Sequence, residues 1–388
     1  MKTLRVLVWS PTGCGSHYSG PAISTYRLIK AIANNKVEMT LVHGSSVQDP
    51  NVGYFNNIFQ MPPVDRVEDR ISYVRQIKFL LASRKWIRRN YQDFDVIFTP
   101  ASNILTLVPC IGAIRMGIPV VGRVAAAGAE LYDNGKVRRT MRWSSRRASL
   151  MSRLSRIVAI SRQIEERLKL LGVPAEKIVY FPNSVDCQRF RPPIRDEKAK
   201  ARLRFGIPTD ARIVIVTVGA VTRRKGQHLL VQALSRLPAD VHLLVVGPVR
   251  EAEYGSFLSS AIDANGVADR VHRCGHIEDV QEAYFASDIF VLPSTDEGMP
   301  NAMVEAMSAG LASIGTQISG ISELLSDGRG VIVERDAGAI ADAIDRYLGD
   351  SSLMKRHADS GRMYITEHQN SEAAARKFYD ILFEASKK

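Results

Sequence analysis

Short apolar runs rich in β-branched residues alternate along the chain with stretches whose apolar residues recur at helical spacing. In the first half, strands are predicted at 4–9, 37–43, 94–99, 118–124 and 156–160, with a helix at 22–33. Near-continuous apolar runs are typical of strands that are buried on both faces of a parallel sheet. Their alternation with helices predicts βαβ units and a doubly wound parallel sheet.

This alternation is interrupted near residue 182. Phe181-Pro182-Asn183-Ser184 has the composition of a turn, and Arg191-Pro192-Pro193 that of an extended linker. A second series follows, with helices at 196–205 and 371–385 and strands at 212–218, 241–246, 270–274, 288–292, 311–314 and 330–333. We therefore expect an α/β fold of two Rossmann-like domains facing across a cleft, 1–185 and 186–365, with a C-terminal helix of about 366–388 joining the first. Ligands should bind at the carboxyl ends of the strands.

Charge distinguishes the two halves. Residues 1–190 contain 28 Lys and Arg against 13 Asp and Glu, whereas residues 191–388 contain 24 against 27. The first half should therefore prefer an anionic partner or surface. The four cysteines are far apart and form no C-x-x-C pair, which argues against a zinc site or a disulfide framework and favours a reducing compartment. No apolar run approaches the ~20 residues that span a bilayer, so we expect a cytoplasmic protein.

The strongest chemical signal follows the strand predicted at 288–292, in the string Pro293-Ser-Thr-Asp-Glu297-Gly-Met-Pro-Asn-Ala-Met-Val-Glu305. We expect a helix to begin at Pro300, because proline suits the first helical position. The amides around residues 298–301 would then form a helix N-terminus beside a strand end, which is a geometry that binds phosphate. Glu297 and Glu305 would accept hydrogen bonds from sugar or ribose hydroxyls. Either glutamate alone is better explained as a solvated acid, but the whole string favours function.

Two further turns follow predicted strands. Gly219-Ala-Val-Thr-Arg223-Arg224-Lys225-Gly226 places three adjacent cations where they can neutralise a diphosphate, and Gly219 allows close approach of the backbone. Gly13-Cys-Gly15-Ser-His17-Tyr-Ser-Gly20 lacks the third glycine of the dinucleotide fingerprint, and no acid ends the second strand. A nicotinamide cofactor is therefore disfavoured.

Four motifs, taken in order, resemble those of family 4 retaining glycosyltransferases of GT-B architecture: Pro182-Asn-Ser-Val-Asp186-x-x-x-Phe190, Gly219-x5-Lys225-Gly226, Gly275-His276-Ile277 and Glu297-x7-Glu305. The resemblance covers nearly the whole chain and is best over residues 182–320. It implies transfer of a sugar, with anomeric retention, from a nucleotide donor that we expect to be UDP-linked. The acceptor would be a hydroxyl group, on a lipid-linked molecule or a growing cell-surface glycan. Such an enzyme would be a hexosyl- or N-acetylhexosaminyltransferase of bacterial polysaccharide biosynthesis.

The resemblance also assigns residues. The C-terminal domain would hold the donor, with Glu305 on the ribose and Glu297 on the donor sugar. Family members often have Gly-Arg where this chain has Gly219-Ala220, so Arg223 or Arg224 would join Lys225 at the diphosphate. The remaining donor contacts would come from backbone groups of His276 and Ile277 at the base, and of Gly298, Met299, Pro300 and Asn301 at sugar and phosphate, although Pro300 has no N–H to donate. By this resemblance Glu297, Lys225 and Arg224 are the catalytic candidates.

The N-terminal domain, expected to lie on the acceptor side, offers weaker candidates. Many family members carry a His after the fifth strand, but here that stretch is Gly122-Arg123-Val-Ala-Ala-Ala-Gly128-Ala-Glu130. Arg123 and Glu130 are the polar residues left, and either could equally be a structural ion-pair partner. His17 and Gly20 are the other candidates. All four would reach the site from the opposite side of the cleft.

Metal dependence is disfavoured. Asp93-Phe94-Asp95 has the D-x-D pattern of metal-dependent transferases, but it precedes a strand in the N-terminal half, and we interpret it as a solvated turn with Phe94 in the core. Lys and Arg side chains and helix ends can stabilise a leaving diphosphate instead. We therefore expect no metal and no cofactor, with the nucleotide sugar acting as a substrate.

Residues 136–156 contain eight cations, and no acid occurs between 134 and 164. Val137, Met141, Ala148, Met151 and Leu154 would share one helical face, which is typical of an amphipathic helix on an anionic membrane. A core-packed helix with a charged outer face is an equal alternative. Nucleic acid is disfavoured, because aromatic residues are few and no DNA- or RNA-binding motif occurs. If residues 136–156 form such a membrane-bound helix, the protein would lie peripherally on the inner face of the plasma membrane.

Two other functions stay open at this stage. One is a GT-B-like UDP-sugar epimerase, which would need acids and a His placed around the sugar. The other is a nucleotide-binding, membrane-docking protein without turnover. The intact Glu297, Glu305 and Lys225 argue against this last alternative.

Overall fold

The computed structural model describes residues 3–11, 20–33, 37–45, 53–64, 73–125 and 148–387. The chain divides into two compact units, Met1–Ser184 with Ser371–Lys388 as unit 1 and Val185–Asn370 as unit 2. The chain passes from one unit to the other after Ser184 and again after Asn370, and both points lie within five residues of the boundaries expected from the sequence. No helix of the described residues is both long enough and apolar enough to cross a membrane.

Unit 1 is built on a seven-stranded parallel sheet with the order β3-β2-β1-β4-β5-β6-β7. Its strands are β1 (Leu4–Ser10), β2 (Val37–His43), β3 (Asn57–Gln60), β4 (Val96–Thr99), β5 (Val120–Val124), β6 (Arg156–Ala159) and β7 (Ile178–Tyr180). The helices of its described residues up to this point include α1 (Gly20–Ile32), α2 (Tyr73–Asn90), α3 (Ile104–Arg115) and α4 (Arg162–Leu170). The central strands β4 and β5 are buried along their whole length, as their apolar runs predict.

Unit 2 contains a six-stranded parallel sheet with the order β10-β9-β8-β11-β12-β13. The strands are β8 (Ile213–Val218), β9 (Val241–Val246), β10 (Val271–Gly275), β11 (Ile289–Leu292), β12 (Ala312–Thr316) and β13 (Val331–Val333). The helices are α5 (Arg195–Arg204), α6 (Gln227–Leu234), α7 (Ala252–Ala264), α8 (Gln281–Phe285), α9 (Asn301–Ser308), α10 (Ser319–Leu325), α11 (Ala337–Gly349) and α12 (Ser351–His368). Asp336 caps α11 by accepting from the amides of Gly338 and Ala339, which fixes where the chain leaves β13 and turns into helix.

The last helix, α13 (Ser371–Ser386), returns to unit 1. Phe378 is buried in the core of unit 1, and its ring centroid lies 4.9 Å from that of Phe98 and 5.8 Å from that of Phe181. The prediction that each unit has a doubly wound parallel sheet is confirmed. In both sheets the strand order reverses beside the first strand, between β1 and β4 and between β8 and β11.

Candidate functional site

Two loops meet at the centre of the sheet of unit 2, at the carboxyl ends of β8 and β11. These strands are neighbours at the point where the strand order reverses, and residues 219–226 and 293–300 follow them. The loops are joined directly, because the amide of Thr295 donates to the carbonyl of Arg224 at 2.9 Å. Doubly wound sheets bind their ligands at such switch points.

A cluster of charged side chains occupies the meeting point of these loops. One carboxylate oxygen of Glu297, Oε1, accepts from Lys225 Nζ at 2.6 Å, Arg224 Nη1 at 2.8 Å and Ser294 Oγ at 2.9 Å. The side chains of Glu297 and Lys225 are only 11% and 12% exposed, whereas that of Arg224 is 47% exposed. The structure thus brings together the three residues that the sequence nominates as catalytic, and it adds Ser294.

The electrostatic balance keeps Glu297 ionised. Burial alone would raise the pKa of its carboxyl group, but the charges of Lys225 and Arg224 and the hydrogen bonds from Lys225 and Ser294 outweigh burial and hold that pKa below its usual value. The same two cations are the groups expected to meet a diphosphate. A phosphate arriving here would therefore compete with Glu297 for them.

Gly219 makes room for the lysine of this cluster. Its φ of 148° lies in the region that favours glycine, and a Cβ there would stand 3.2 Å from Lys225 Cε. The lysine stem thus lies against the backbone at the end of β8.

The two neighbouring arginines have different surroundings. Arg224 reaches Glu297, whereas the guanidinium of Arg223 lies 5.8 Å from the ring centroid of Tyr254 and 5.7 Å from that of Phe257. These distances are typical of cation–π contacts. The geometry therefore favours Arg224 as the cation that accompanies Lys225, and the donor role of Arg223 stays a prediction.

The loop before α9 is tightly packed. The expectation that Pro300 is the first helical residue is wrong by one position: its ψ of 110° is extended, so it caps the helix and α9 begins at Asn301. Met299 is buried, and the carbonyl of Gly298 faces Gly320 of α10, where a Cβ would stand only 2.2 Å from that oxygen. The absence of a side chain at Gly320 therefore lets the loop lie against α10.

Glu305 lies on the buried side of α9 and is only 4% exposed. The hydroxyl of Tyr284, on α8, donates to Glu305 Oε2 at 2.8 Å and lies 3.1 Å from the carbonyl oxygen of Ala302. Tyr284 is itself fully buried. It fixes one carboxylate oxygen of Glu305, and no sequence motif identifies it.

No motif in the sequence identifies Arg335, which lies just after β13, as part of the site. Its Nε donates to the carbonyl of Pro293 at 3.0 Å and its Nη2 to the carbonyl of Arg223 at 3.2 Å. One guanidinium group thus ties the loop after β11 to the loop after β8. Only the three-dimensional structure could reveal this link, because its partners lie 42 and 112 residues away.

The predicted base contacts lie on the same edge of the sheet. His276 and Ile277 follow Gly275, the last residue of β10, and β10 is separated from β8 only by β9. His276 is exposed and Ile277 half-buried. Their role toward a base stays a prediction.

The candidates of unit 1 are described only in part. Gly20 is the first residue of α1, whereas His17 and Glu130 lie outside the described residues. Arg123, at 1% exposure, donates from Nη1 to Thr25 Oγ1 at 3.0 Å and from Nη2 to Asn183 Oδ1. It therefore joins β5 to α1 and to the turn after β7, which agrees with the structural alternative, although its partners are a hydroxyl and an amide rather than an acid. A role of Arg123 toward a ligand stays a prediction.

The D-x-D string is a structural feature of unit 1. Asp95 is not part of a solvated turn: its carboxylate pairs with the guanidinium of Arg5 at 3.1 Å and accepts from the Arg5 amide at 2.9 Å. Phe94 is half-buried rather than in the core, and its ring stacks on that of Trp86 at a centroid distance of 6.0 Å. The sequence did not show that β1 would bring Arg5 beside this string.

Most of the basic segment, residues 136–147, lies outside the described residues. In its described end, Ala148, Met151 and Leu154 are buried. Three of the five residues predicted to form one apolar face are thus packed into unit 1.

Comparison with known proteins agrees with these features. Residues 18–189 match the family described as Glycosyltransferase Family 4, and residues 212–350 match the one described as Glycosyl transferases group 1. The chain belongs to glycosyltransferase family 4.

Among curated members, the D-inositol 3-phosphate glycosyltransferase of Xylanimonas cellulosilytica is 30% identical over 60% of this chain and 57% of its own length. The Escherichia coli UDP-Gal:alpha-D-GlcNAc-diphosphoundecaprenol alpha-1,3-galactosyltransferase is 27% identical over 73% of each chain. This chain spans about half the length of several other curated family 4 relatives. The structure of Anabaena Alr3699/HepE in complex with UDP superposes with a TM-score of 0.83 at 17% identity, covering 98% of this chain and 100% of that one. The fold is therefore GT-B.

Proposed function

We propose that this family 4 protein is a retaining glycosyltransferase that moves a hexosyl or N-acetylhexosaminyl group from a UDP-linked donor to a hydroxyl acceptor. The observation that supports this most directly is the convergence of Lys225, Arg224 and Glu297 at the switch point of unit 2. It combines fixed positive charge for a diphosphate with a carboxylate for sugar hydroxyls.

The cluster supports a simple exchange of partners on donor binding. The diphosphate of the donor takes over Lys225 and Arg224, and the released Glu297 then accepts from a hydroxyl of the donor sugar. Glu305, held by Tyr284, accepts from the ribose. Lys225, Arg224 and Glu297 lie in two loops that are bonded to each other, and Glu305 lies on a short helix, so the exchange needs only side-chain movement.

The reaction follows from the charge that these groups stabilise. The acceptor oxygen bonds to the anomeric carbon on the face that the diphosphate leaves, and the broken C–O bond gives its electron pair to the diphosphate. The acceptor proton passes to a phosphate oxygen. Lys225 and Arg224 stabilise the negative charge that develops on the leaving group, without a metal ion or cofactor. No glycosyl-enzyme is required.

The acceptor and location are proposed from relatives. The galactosyltransferase of Escherichia coli is named for a diphosphoundecaprenol acceptor, and Anabaena HepE has been crystallised with UDP and with UDP-glucose. We therefore propose a lipid-linked or growing glycan acceptor, and a protein that works peripherally at the inner face of the plasma membrane.

Nucleotide release from a panel of UDP- and GDP-sugars, with and without lipid-linked acceptors, tests this function. The wild-type protein should release UDP only when an acceptor is present, and the new linkage should keep the anomeric configuration of the donor. Lys225→Gln should abolish release, whereas Lys200→Gln, on the exposed side of α5, should not. An isomerised UDP-sugar without free UDP would identify an epimerase, and the absence of both turnover and UDP binding would refute the proposal.

A further inference from the structure

The outer face of α2 exposes large apolar side chains. Val74, Ile77 and Leu81 are 64%, 57% and 64% exposed, and their spacing of three and four residues places them on one side of the helix. The opposite side is the one packed into unit 1, since Phe79 and Ile87 are buried. The exposed apolar stripe therefore contributes little to the core of the described residues.

The charge of the same helix is of one sign. α2 contains six cations and no acid. Lys78, Arg84, Lys85, Arg88 and Arg89 are exposed, and in the described part of the chain none of them pairs with an acid. A helix face that only meets water normally carries both signs. The outer face thus has a mainly apolar half, from Val74 to Leu81, in which Lys78 is the exposed cation, followed by a cationic half that ends at Arg89.

The neighbouring edge strand extends this surface. Among the described strands β3 pairs only with β2, and its Ile58 and Phe59 are 42% and 43% exposed. The ring of Phe59 lies 5.3 Å from that of Trp86 on α2. Phe79 packs against Gly44, just after the end of β2, so the apolar half of α2 lies toward the carboxyl edge of the sheet.

We propose that the outer face of α2, together with β3, docks on an anionic lipid bilayer. The apolar half would enter the boundary between headgroups and acyl chains, while the cationic half would contact anionic headgroups. Charge complementarity requires an anionic partner, and the apolar stripe favours a bilayer over a nucleic acid, whose phosphates need only the cations. This surface contains none of residues 136–156, and the inference goes beyond the proposed transfer reaction.

Co-sedimentation of the full chain with vesicles tests the proposal. The protein should bind vesicles of phosphatidylglycerol and phosphatidylcholine at low salt, but not phosphatidylcholine alone. Arg84→Glu with Arg88→Glu should weaken binding at least about 30-fold, since each cation near an anionic surface strengthens it roughly fivefold. Ile77→Ser with Leu81→Ser should weaken binding at least tenfold for each residue, as the burial of a large apolar side chain implies roughly.

Matched control variants test whether binding depends on this face of α2 or only on the overall charge and exposed apolar side chains of the protein. Arg195→Glu with Lys200→Glu changes the net charge equally but lies on α5, and Leu170→Ser with Leu203→Ser removes two side chains that are each 78% exposed. Both control pairs should bind like the wild type, and all variants should keep the circular dichroism of the wild type.

Three results would overturn the proposal. The first is a wild-type protein that stays entirely in the supernatant with anionic vesicles. The second is a serine variant that binds as tightly as the wild type, which would leave only electrostatic attraction, as for a nucleic acid; competition by duplex DNA would then identify that partner. The third is an equal loss of vesicle binding in the α5 control, which would mean that net charge, rather than α2, governs binding.

Discussion

The ion cluster around Glu297 makes the stability of unit 2 depend on pH. The pKa of this carboxyl group is lower in the folded chain than in the unfolded one, in spite of burial, because Lys225 and Arg224 stabilise its charge. Its contribution to stability is therefore fully present above the unfolded pKa, at about pH 4.3, and is lost as the pH falls through the folded pKa.

Glu297→Gln should accordingly be less stable than the wild type at neutral pH but not in acid. The glutamine cannot balance the charges of Lys225 and Arg224, whereas in acid the wild-type carboxyl group is itself neutral. Urea unfolding at a series of pH values from about 7 down to about 3 measures the difference in free energy, which should shrink below about pH 4.3. A difference that stays constant in acid would contradict the assignment. Glu278→Gln, at an exposed position, is the matched control.

Glu305→Ala should weaken UDP binding by about 1–3 kcal/mol, the usual effect of losing a charged hydrogen bond. Alanine would also leave the buried hydroxyl of Tyr284 without this acceptor, so Glu305→Gln is the gentler companion variant. Tyr284→Phe keeps the carboxylate and isolates the effect of positioning. Calorimetry that finds unchanged UDP affinity in a folded Glu305→Ala protein would defeat the ribose assignment.

At the scale of elements, the donor loops depend on links between strand ends. Loops after β8 and β11 carry the charged groups, and the loop after β13 supplies Arg335, which bonds to both. These contacts act on backbone carbonyls, so Arg335 is a positioning residue that has no need to touch the donor.

Arg335→Gln should raise the KM for the donor roughly fivefold for each lost hydrogen bond, since such a bond contributes about 1 kcal/mol, with a smaller effect on kcat. Arg335→Lys keeps the charge and at most one of the two bonds, and should be intermediate. Arg346→Gln, on the exposed side of α11, is the control. Initial rates at varied donor concentration provide the measurement, and an unchanged KM would show that the two loops hold their positions without this link.

The sequence predicts buried elements well and long-range partners poorly. β2 and β9 have the bounds expected from their apolar runs, because burial on both faces leaves an uninterrupted pattern. β3 and β7 were missed: they are the outer strands of their sheet, and β3 has no buried residue. Lys225 and Glu297 stand in recognisable motifs, whereas Tyr284 and Arg335 act through contacts that no local spacing encodes.

At the scale of the whole molecule, α13 belongs to the core of unit 1 although unit 2 precedes it in the chain. Phe378→Ala should therefore lower the free energy of unfolding of unit 1 by about 3–5 kcal/mol, as the loss of a buried phenylalanine ring does. We expect UDP to stabilise unit 2 equally in this variant and in the wild type. Calorimetric scans with and without UDP measure both the loss of stability of unit 1 and the stabilisation of unit 2 by the nucleotide. Met363→Ala, at 59% exposure on α12, is the control, and an equal loss there would contradict the prediction.

Turnover by the intact protein should survive EDTA, because Lys225 and Arg224 already supply positive charge for a leaving diphosphate. The release assay with the preferred donor, before and after chelation, measures this. Loss of activity that Mg²⁺ or Mn²⁺ restores would assign the stabilisation of the leaving group to a metal ion instead.

The return of α13 to unit 1 also has a consequence for synthesis on the ribosome. Unit 2 is complete as soon as Asn370 has emerged, whereas the sheet of unit 1 waits for a helix that is made last. At about 5–20 residues per second, the delay from Ser184 to Ser371 is roughly ten to forty seconds. During this time Phe98 and Phe181 lack the ring of Phe378 that covers them in the finished protein. We therefore expect the nascent first unit to bind a chaperone until α13 has been synthesised.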